Sequence, residues 1–245
     1  MNRLSNCIKF ETKKATKSTL IFMLFLLVFY TLSIVLTLVE HSNNATYSSM
    51  GFFMPFSIFL FINVSISYTP HYNFLLMLGN SRKTIMFSQF ISYFIIAVGS
   101  VIAVALLELI SQAMFKPMHF NYVNLLNIVY RTNLTFVSTV SWYLTLFMAI
   151  CFFSLFLGAM RYKFGKIFSR IFWAAFALSW IFIPPLLMVS GNKSNLLNFV
   201  KYFFGVDYNN GIYVASANFL IVAIIFGIIT YLIGIKQEMI VSEKN

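Results

Sequence analysis

Six apolar stretches, each about as long as a bilayer is thick, decide what this chain can become. They span residues 18–39, 51–68, 85–107, 136–160, 171–189 and 212–235. A hydrocarbon core takes about 20 helical residues, with a range of about 17 to 25. Each stretch qualifies as a transmembrane helix. The expected fold class is therefore all-α: a polytopic membrane protein of six transmembrane helices, forming a single domain over residues 1–245. Composition agrees, since 60% of the 245 residues are hydrophobic and 9% are charged, whereas soluble domains carry about 25% charged residues.

The placement of the cations sets the orientation. Arg3, Lys9, Lys13, Lys14 and Lys17 precede the first stretch, and Arg82 and Lys83 lie between the second and third. Arg161, Lys163, Lys166 and Arg170 separate the fourth from the fifth, and Lys236 and Lys244 follow the sixth. Only Lys116, Arg131, Lys193 and Lys201 fall on the alternate connections. The positive-inside rule puts both termini and residues 69–83 in the cytoplasm. An odd number of spans would split the basic set between two faces. The formal charge of +11 is thus accounted for by topology and anionic lipid, with no call for nucleic acid.

Residues 1–17 pattern as an amphipathic helix lying on the inner leaflet. Met1, Leu4, Ile8 and Ala15 share one side with Cys7 beside them, and Arg3, Lys9, Lys13, Lys14 and Lys17 gather on the other. The basic segment is long, the first apolar run has full span length and no small-residue cleavage site follows, so a cleavable leader is not expected. Cys7 and Cys151 should lie at different depths, and no disulfide is expected.

The connection over residues 69–83 is unlike a solvated loop. Thr69 is placed to cap a helix that begins at Pro70, where the missing N–H is harmless. Phe74-Leu75-Leu76-Met77-Leu78 is an unbroken apolar run. Gly79 suits the end of that turn, and Ser81 suits the cap of the next helix. Arg82 and Lys83 would then sit at a helix N-terminus, the unfavourable end for cations. Lipid phosphates or an acidic partner would favour them there. Two readings stand: a contact for another subunit, or a helix bedded in the headgroups.

No catalytic constellation is evident. His41, His71 and His119 divide between the two faces, and no Glu or Cys pair sits at metal-ligand spacing. There is no G-x-S-x-G turn. Gly158 and Gly165 are separated by six residues, not the four of a phosphate loop, and Ile167 replaces the needed Ser or Thr. The chain is expected to be no enzyme and to hold no ATP, metal or cofactor of its own. Glu108, at the outer end of the third span, and Asn63, within the second, are candidate functional polar residues. For Asn63, Gln89 and Asn218 the commoner role is a hydrogen bond between helices. Pro184-Pro185 is expected to kink or end the fifth helix. Gly99, Gly158, Gly227 and Gly234 are candidates for close helix packing. Asn124-Leu125-Leu126-Asn127 and Asn195-Leu196-Leu197-Asn198 echo one another, and each connection has room for a short surface helix.

Leu78-Gly79-Asn80-Ser81-Arg82-Lys83 between spans two and three, the basic N-terminal helix and six spans with both ends inside resemble the permease subunits of bacterial ABC-2-type exporters. The likeness is greatest to those that export amphipathic peptides such as phenol-soluble modulins and antimicrobial peptides. The resemblance implies a multi-pass protein of the bacterial plasma membrane. It implies two permease copies, identical or paralogous, and a separate ATP-binding subunit that carries the ATP and magnesium. Residues 69–83 would be the cytoplasmic coupling segment, with Phe74, Leu75, Leu76, Met77, Leu78, Arg82 and Lys83 contacting that subunit. The substrate would be an amphipathic peptide, a lipid-like molecule or a hydrophobic drug. The departure is in residues 190–211, which are weakly apolar where family members often carry re-entrant helices.

Two other readings compete: a passive channel, and an immunity or binding protein with no ATPase partner. A channel would show polar residues repeating along one face of several spans, and these spans are almost wholly apolar. The topology itself is open to test. In a background lacking Cys7 and Cys151, single cysteines at Ser42 and Asn192 should react with an impermeant thiol reagent in intact cells. One at Asn80 should react only after lysis, and its labelling from outside would invert the assignment.

Overall fold

A peptide group in hydrocarbon can bond only to its own chain, and helices satisfy it throughout the apolar runs. The computed structural model describes residues 3–39, 46–48, 50–115, 121–123, 125–130, 135–189, 193–206, 208 and 210–237. Its helices are α1 (Arg3–Val39), α2 (Met50–Met77), α3 (Arg82–Phe115), α4 (Leu125–Tyr130), α5 (Phe136–Val189), α6 (Lys193–Phe203) and α7 (Gly211–Gly234). Two three-residue strands, β1 (Thr46–Ser48) and β2 (Asn121–Val123), pair in parallel with Tyr47 opposite Tyr122. Among the described residues the fold is thus helical, as expected, apart from that one short pairing.

Among the described residues, four helical segments are long and apolar enough to cross a membrane: Phe53–Met77, Arg82–Ile110, Phe136–Gly165 and Gly211–Gly234. They contain or overlap the expected second, third, fourth and sixth stretches. Residues 18–39 and 171–189 are helical too, but part of each carries side chains outside the described set. The two echoing Asn-Leu-Leu-Asn segments do hold short helices, α4 and α6.

Two expected boundaries are absent, and a third is narrowed to one residue. The interfacial helix over residues 1–17 is not a separate element, because α1 runs unbroken for 37 residues, roughly 55 Å at 1.5 Å per residue. No Gly or Pro interrupts it, and Ser18 and Thr19 bond back onto the Ala15 carbonyl at 3.0 and 2.8 Å. Its buried stripe recurs every fourth residue: Cys7, Glu11, Ala15, Thr19 and Met23. Leu4 is exposed and Ile8 half-buried, while Ala15 of the same expected apolar side is buried in the bundle. The second absent boundary is Thr69-Pro70. Helix α2 passes through Pro70 to Met77. Proline inside a helix costs one hydrogen bond and a clash with the carbonyl four residues back, which packing on both sides of it here outweighs. The third is the connection over residues 161–170. It is helical except at Gly165, whose φ of 72° and ψ of −165° break α5 into two limbs. The ring of Phe61 meets Phe153 in the first limb at 5.9 Å and Trp173 in the second at 6.1 Å. The second limb therefore folds back along α2 as a hairpin. Pro184 and Pro185 do not end that limb, which continues to Val189.

The first limb of α5 is the spine of the bundle. It packs along α7, α2 and α3, while α1 lies on α3 and α2. Phe56, Leu60, Phe147 and Leu155 are fully buried where these helices meet. Gly158 permits a close approach of α5 to α2: a Cβ there would stand 2.6 Å from the Tyr68 Cβ and 3.2 Å from the Ser65 carbonyl oxygen, and Gly234 likewise leaves no room for a Cβ beside Met86. Gly99, expected to serve the same purpose, has nothing within 4 Å of such a Cβ. Gly158→Ala should therefore lower the thermal midpoint in detergent, by an overpacking cost of about 1–3 kcal/mol, while Gly99→Ala should not. Equal midpoints for the two variants would remove the close-packing role.

Candidate functional site at the basic end of the bundle

The turn between α2 and α3 is built from backbone bonds. The Gly79 N–H donates to the Leu76 carbonyl at 2.9 Å and the Asn80 N–H to the Leu75 carbonyl at 3.3 Å. Together they form a Schellman closure that uses the positive φ of 74° at Gly79. The Asn80 side-chain amide donates to the same Leu75 carbonyl at 3.0 Å. Ser81 Oγ then accepts the Thr84 N–H at 3.2 Å and caps α3. The stop at Gly79 and the cap at Ser81 expected from the sequence are both in place, and they leave little freedom between the helices.

The apolar run before that turn is divided by helical geometry. Leu75 is 2% exposed and Leu76 packs on the core. Met77 and Leu78 are 69% and 62% exposed, and Phe74 is 43% exposed. Arg82 and Lys83 are both exposed beside them. The run expected to face a partner thus offers Phe74, Met77 and Leu78 outward, and Leu75 belongs to this chain's own interior. Phe10 of α1 stacks on Phe74 with ring centres 4.8 Å apart, and the Lys14 ammonium lies 5.1 Å above Phe10. Between these helices is a cavity of about 280 Å³, walled by Cys7, Phe10, Leu75 and Leu78 and rimmed by Arg3 and Asn80.

One turn up α2, a buried carboxylate–imidazole contact joins it to α1. His71 Nδ1 lies 2.6 Å from Glu11 Oε2, and both residues are buried. The other carboxylate oxygen of Glu11 has no partner among the described residues. Burial first, and the Glu11 carboxylate second, push the Cys7 thiol above its ordinary range, against a smaller opposing backbone hydrogen bond. Cys7 is therefore a buried, protonated thiol and a poor acylation site.

Three tyrosines tie α2 to the rest of the bundle. The Tyr68 hydroxyl donates to Gln237 Oε1 at 2.9 Å and touches Met86 Sδ of α3. The Tyr72 hydroxyl donates to the Gly234 carbonyl at 2.7 Å, at the end of α7. The Tyr162 hydroxyl, on α5, donates to Asn73 Oδ1 at 2.6 Å. Gln237 Nε2 in turn donates to the Ala159 carbonyl at 2.8 Å.

The remaining candidates lie elsewhere. Asn63 Nδ2 donates to Ser18 Oγ at 3.1 Å, a bond between helices. Asn218 does the same toward the Phe203 carbonyl at 2.8 Å. Gln89 is fully buried with neither amide atom partnered among the described residues. Glu108 is buried near the opposite end, where it accepts the Tyr143 hydroxyl at 2.6 Å. No group of three His, Cys, Asp or Glu side chains converges among the described residues. Sequence reading missed Glu11, Tyr68, Tyr72, Tyr162 and Gln237. For Glu11 a signal existed: it shares the four-residue spacing of Cys7, Ala15 and Thr19 and is the sole acid amid the N-terminal cations.

No protein-family model, curated protein or solved structure matches this chain at a significant level.

The buried pair makes a quantitative prediction. Removing one partner strands a buried polar group, at roughly 3–5 kcal/mol, while replacing both by apolar residues is often neutral. Glu11→Leu alone should lower the unfolding midpoint in detergent sharply, and Glu11→Leu with His71→Leu should recover most of it. A double variant no better than the single one would show that the two residues act independently.

Proposed function

We propose that this chain is the membrane-spanning subunit of a partner-driven exporter in a bacterial plasma membrane. In this reading it has six spans, both termini in the cytoplasm, and the basic first half of α1 at the inner leaflet. A separate ATP-binding subunit holds ATP and magnesium and presses on the turn between α2 and α3. A second copy or paralogue of the chain completes the path. The cargo is an amphipathic peptide or a lipid-like molecule, because walls of Phe, Ile and Leu offer a small hydrophilic solute no replacement for its lost water.

The observation that carries the reading is the connectivity of α2. Its last turns bond to α1 through His71, to α5 through Asn73, and to α7 through Tyr72. A force on the exposed Phe74, Met77 and Leu78 therefore reaches α1, α5 and α7 at once. The rigid turn presents those three side chains beside two cations and next to a cavity of about 280 Å³, large enough for an inserted side chain. Apolar anchors with a charged rim are what a protein contact of modest size requires.

The test substitutes the outward residues and leaves the buried one intact. Met77→Asp or Leu78→Asp should abolish co-purification with the ATP-binding subunit in mild detergent, with the unfolding midpoint unchanged. Loss of a central anchor costs about 2 kcal/mol or more, roughly thirtyfold in affinity. Arg82→Glu with Lys83→Glu should weaken the complex in a salt-dependent manner. Normal co-purification and normal substrate-stimulated ATPase activity in the Leu78 variant would sink the coupling role. Absence of any ATP-binding subunit from the wild-type preparation would favour the binding-only reading.

A further inference from the structure

A second cleft opens where α5 folds back at Gly165. Its walls come from three directions: Ile62 and Ser65 on α2, Arg161 before the turn, and Phe168, Phe172 and Trp173 after it. The volume is about 150 Å³. An apolar space of that size accepts a group about as large as benzene. It therefore takes a stretch of one hydrocarbon chain and excludes a folded peptide.

Arg161 supplies the one charge in this lining. Among the described residues its guanidinium has no carboxylate partner, since Glu11 engages His71 and Glu108 accepts from Tyr143. A guanidinium against aromatic walls is best satisfied by an anion that takes two of its hydrogen bonds. The depth of the residue points to which anion. Gly158, less than a turn before it, packs on Tyr68 and Ser65. Asn63, half a turn from Ser65 on α2, bonds to Ser18, the neighbour of Lys17. Arg161 and Lys17 are thus at similar levels on α5 and α1, and exposed Lys163 and Arg170 flank the same turn. A band of cations at the end of a helical bundle is the level of anionic headgroups.

We propose that this cleft is a binding site for one anionic phospholipid. Its phosphate is held by the Arg161 guanidinium, with the Ser65 hydroxyl beside it. The upper part of one acyl chain lies along Ile62, Phe172 and Trp173. Seated there, the lipid touches α2 and both limbs of α5, and it braces a hairpin whose angle otherwise rests on Gly165. The site is independent of any ATP-binding partner, so its failure and the failure of the exporter reading are separable.

The full chain, reconstituted in nanodiscs of mixed phosphatidylcholine and phosphatidylglycerol, is released and weighed by native mass spectrometry. One phosphatidylglycerol per chain should survive activation that strips phosphatidylcholine. Arg161→Gln should lower that retention roughly tenfold or more, the loss expected on removing one charge-assisted contact. Ile62→Trp should do the same by filling the cleft with Arg161 in place. Lys13→Gln removes a comparable cation from α1 and should leave retention unchanged. Equal retention of the two lipids by the wild type overturns the proposal without reference to any variant. So does an equal loss in Lys13→Gln, or full retention in Ile62→Trp.

Discussion

The row of hydrogen bonds along the last turns of α2 is what the rest of the bundle depends on. Inside a membrane, a leucine packed on a leucine gains little over a leucine packed on lipid, so apolar burial does not select one arrangement of helices. Directional contacts and close backbone approach do. Helix α2 supplies both: Tyr68 lies over Gly158 of α5, and Tyr68, His71, Tyr72 and Asn73 reach Gln237 just past α7, α1, the end of α7 and α5 in turn. These residues occupy consecutive positions or positions one turn apart, so a single face and its edges make contacts in several directions. Pro70 sits amid them and costs the helix a bond. The helix continues because the groups on either side of the proline are held by neighbours.

The opposite end has its own polar layer, made by other helices. Glu108 of α3 accepts from Tyr143 of α5. The Trp142 N–H donates at 3.1 Å to the Tyr130 hydroxyl, which donates at 2.8 Å to the Phe204 carbonyl. Burial pushes the Tyr130 phenol above its ordinary range, with the bond from Trp142 opposing in smaller measure, so the hydroxyl remains a donor. Between the two layers lies a core of Phe56, Leu60, Phe147 and Leu155, which makes no directional bonds through its side chains. The bundle is thus fastened at its ends and non-directional in its middle. Such a construction resists separation of the helices more than it resists their sliding.

This division explains which features were legible in the sequence. Helix class, four of the spans and the stop at Gly79 with the cap at Ser81 follow from hydrophobic run length and local backbone chemistry, which need no partner. The facing of Leu75 and of Glu11 does not, because it depends on where α1 and α3 lie. Residues 1–17 carry an apolar stripe that suits a leaflet surface, yet the four-residue stripe of Cys7, Glu11, Ala15 and Thr19 is the one the bundle uses. Charge count alone assigns Glu11 to the polar side. Only a neighbour offering His71 makes burial of a carboxylate tolerable. Residues 161–170 misled in a similar way. Four cations suggested a loop, but long basic side chains extend from a helix end to water without breaking it, and one glycine makes the turn.

The bonds of the basic layer are unequal, and the inequality matters for how the bundle can rearrange. Hydrogen bonds between helices in a bilayer average about 0.6 kcal/mol and reach about 1.7 kcal/mol at most. The tyrosine contacts to α5 and to the end of α7 are of this kind, and a few of them together amount to the few kcal/mol that separates two conformational states. The Glu11–His71 pair is different. Parting it would leave a carboxylate in an apolar setting whose second oxygen already has no partner among the described residues, at roughly 3–5 kcal/mol. The stacked Phe10 and Phe74 rings would have to separate in the same movement. When the turn after α2 is displaced, the tyrosine contacts are therefore the first to exchange. The Glu11–His71 contact thus ties α1 to α2 more firmly than the tyrosine contacts tie α2 to α5 and α7, across an interface that Gly158 keeps narrow.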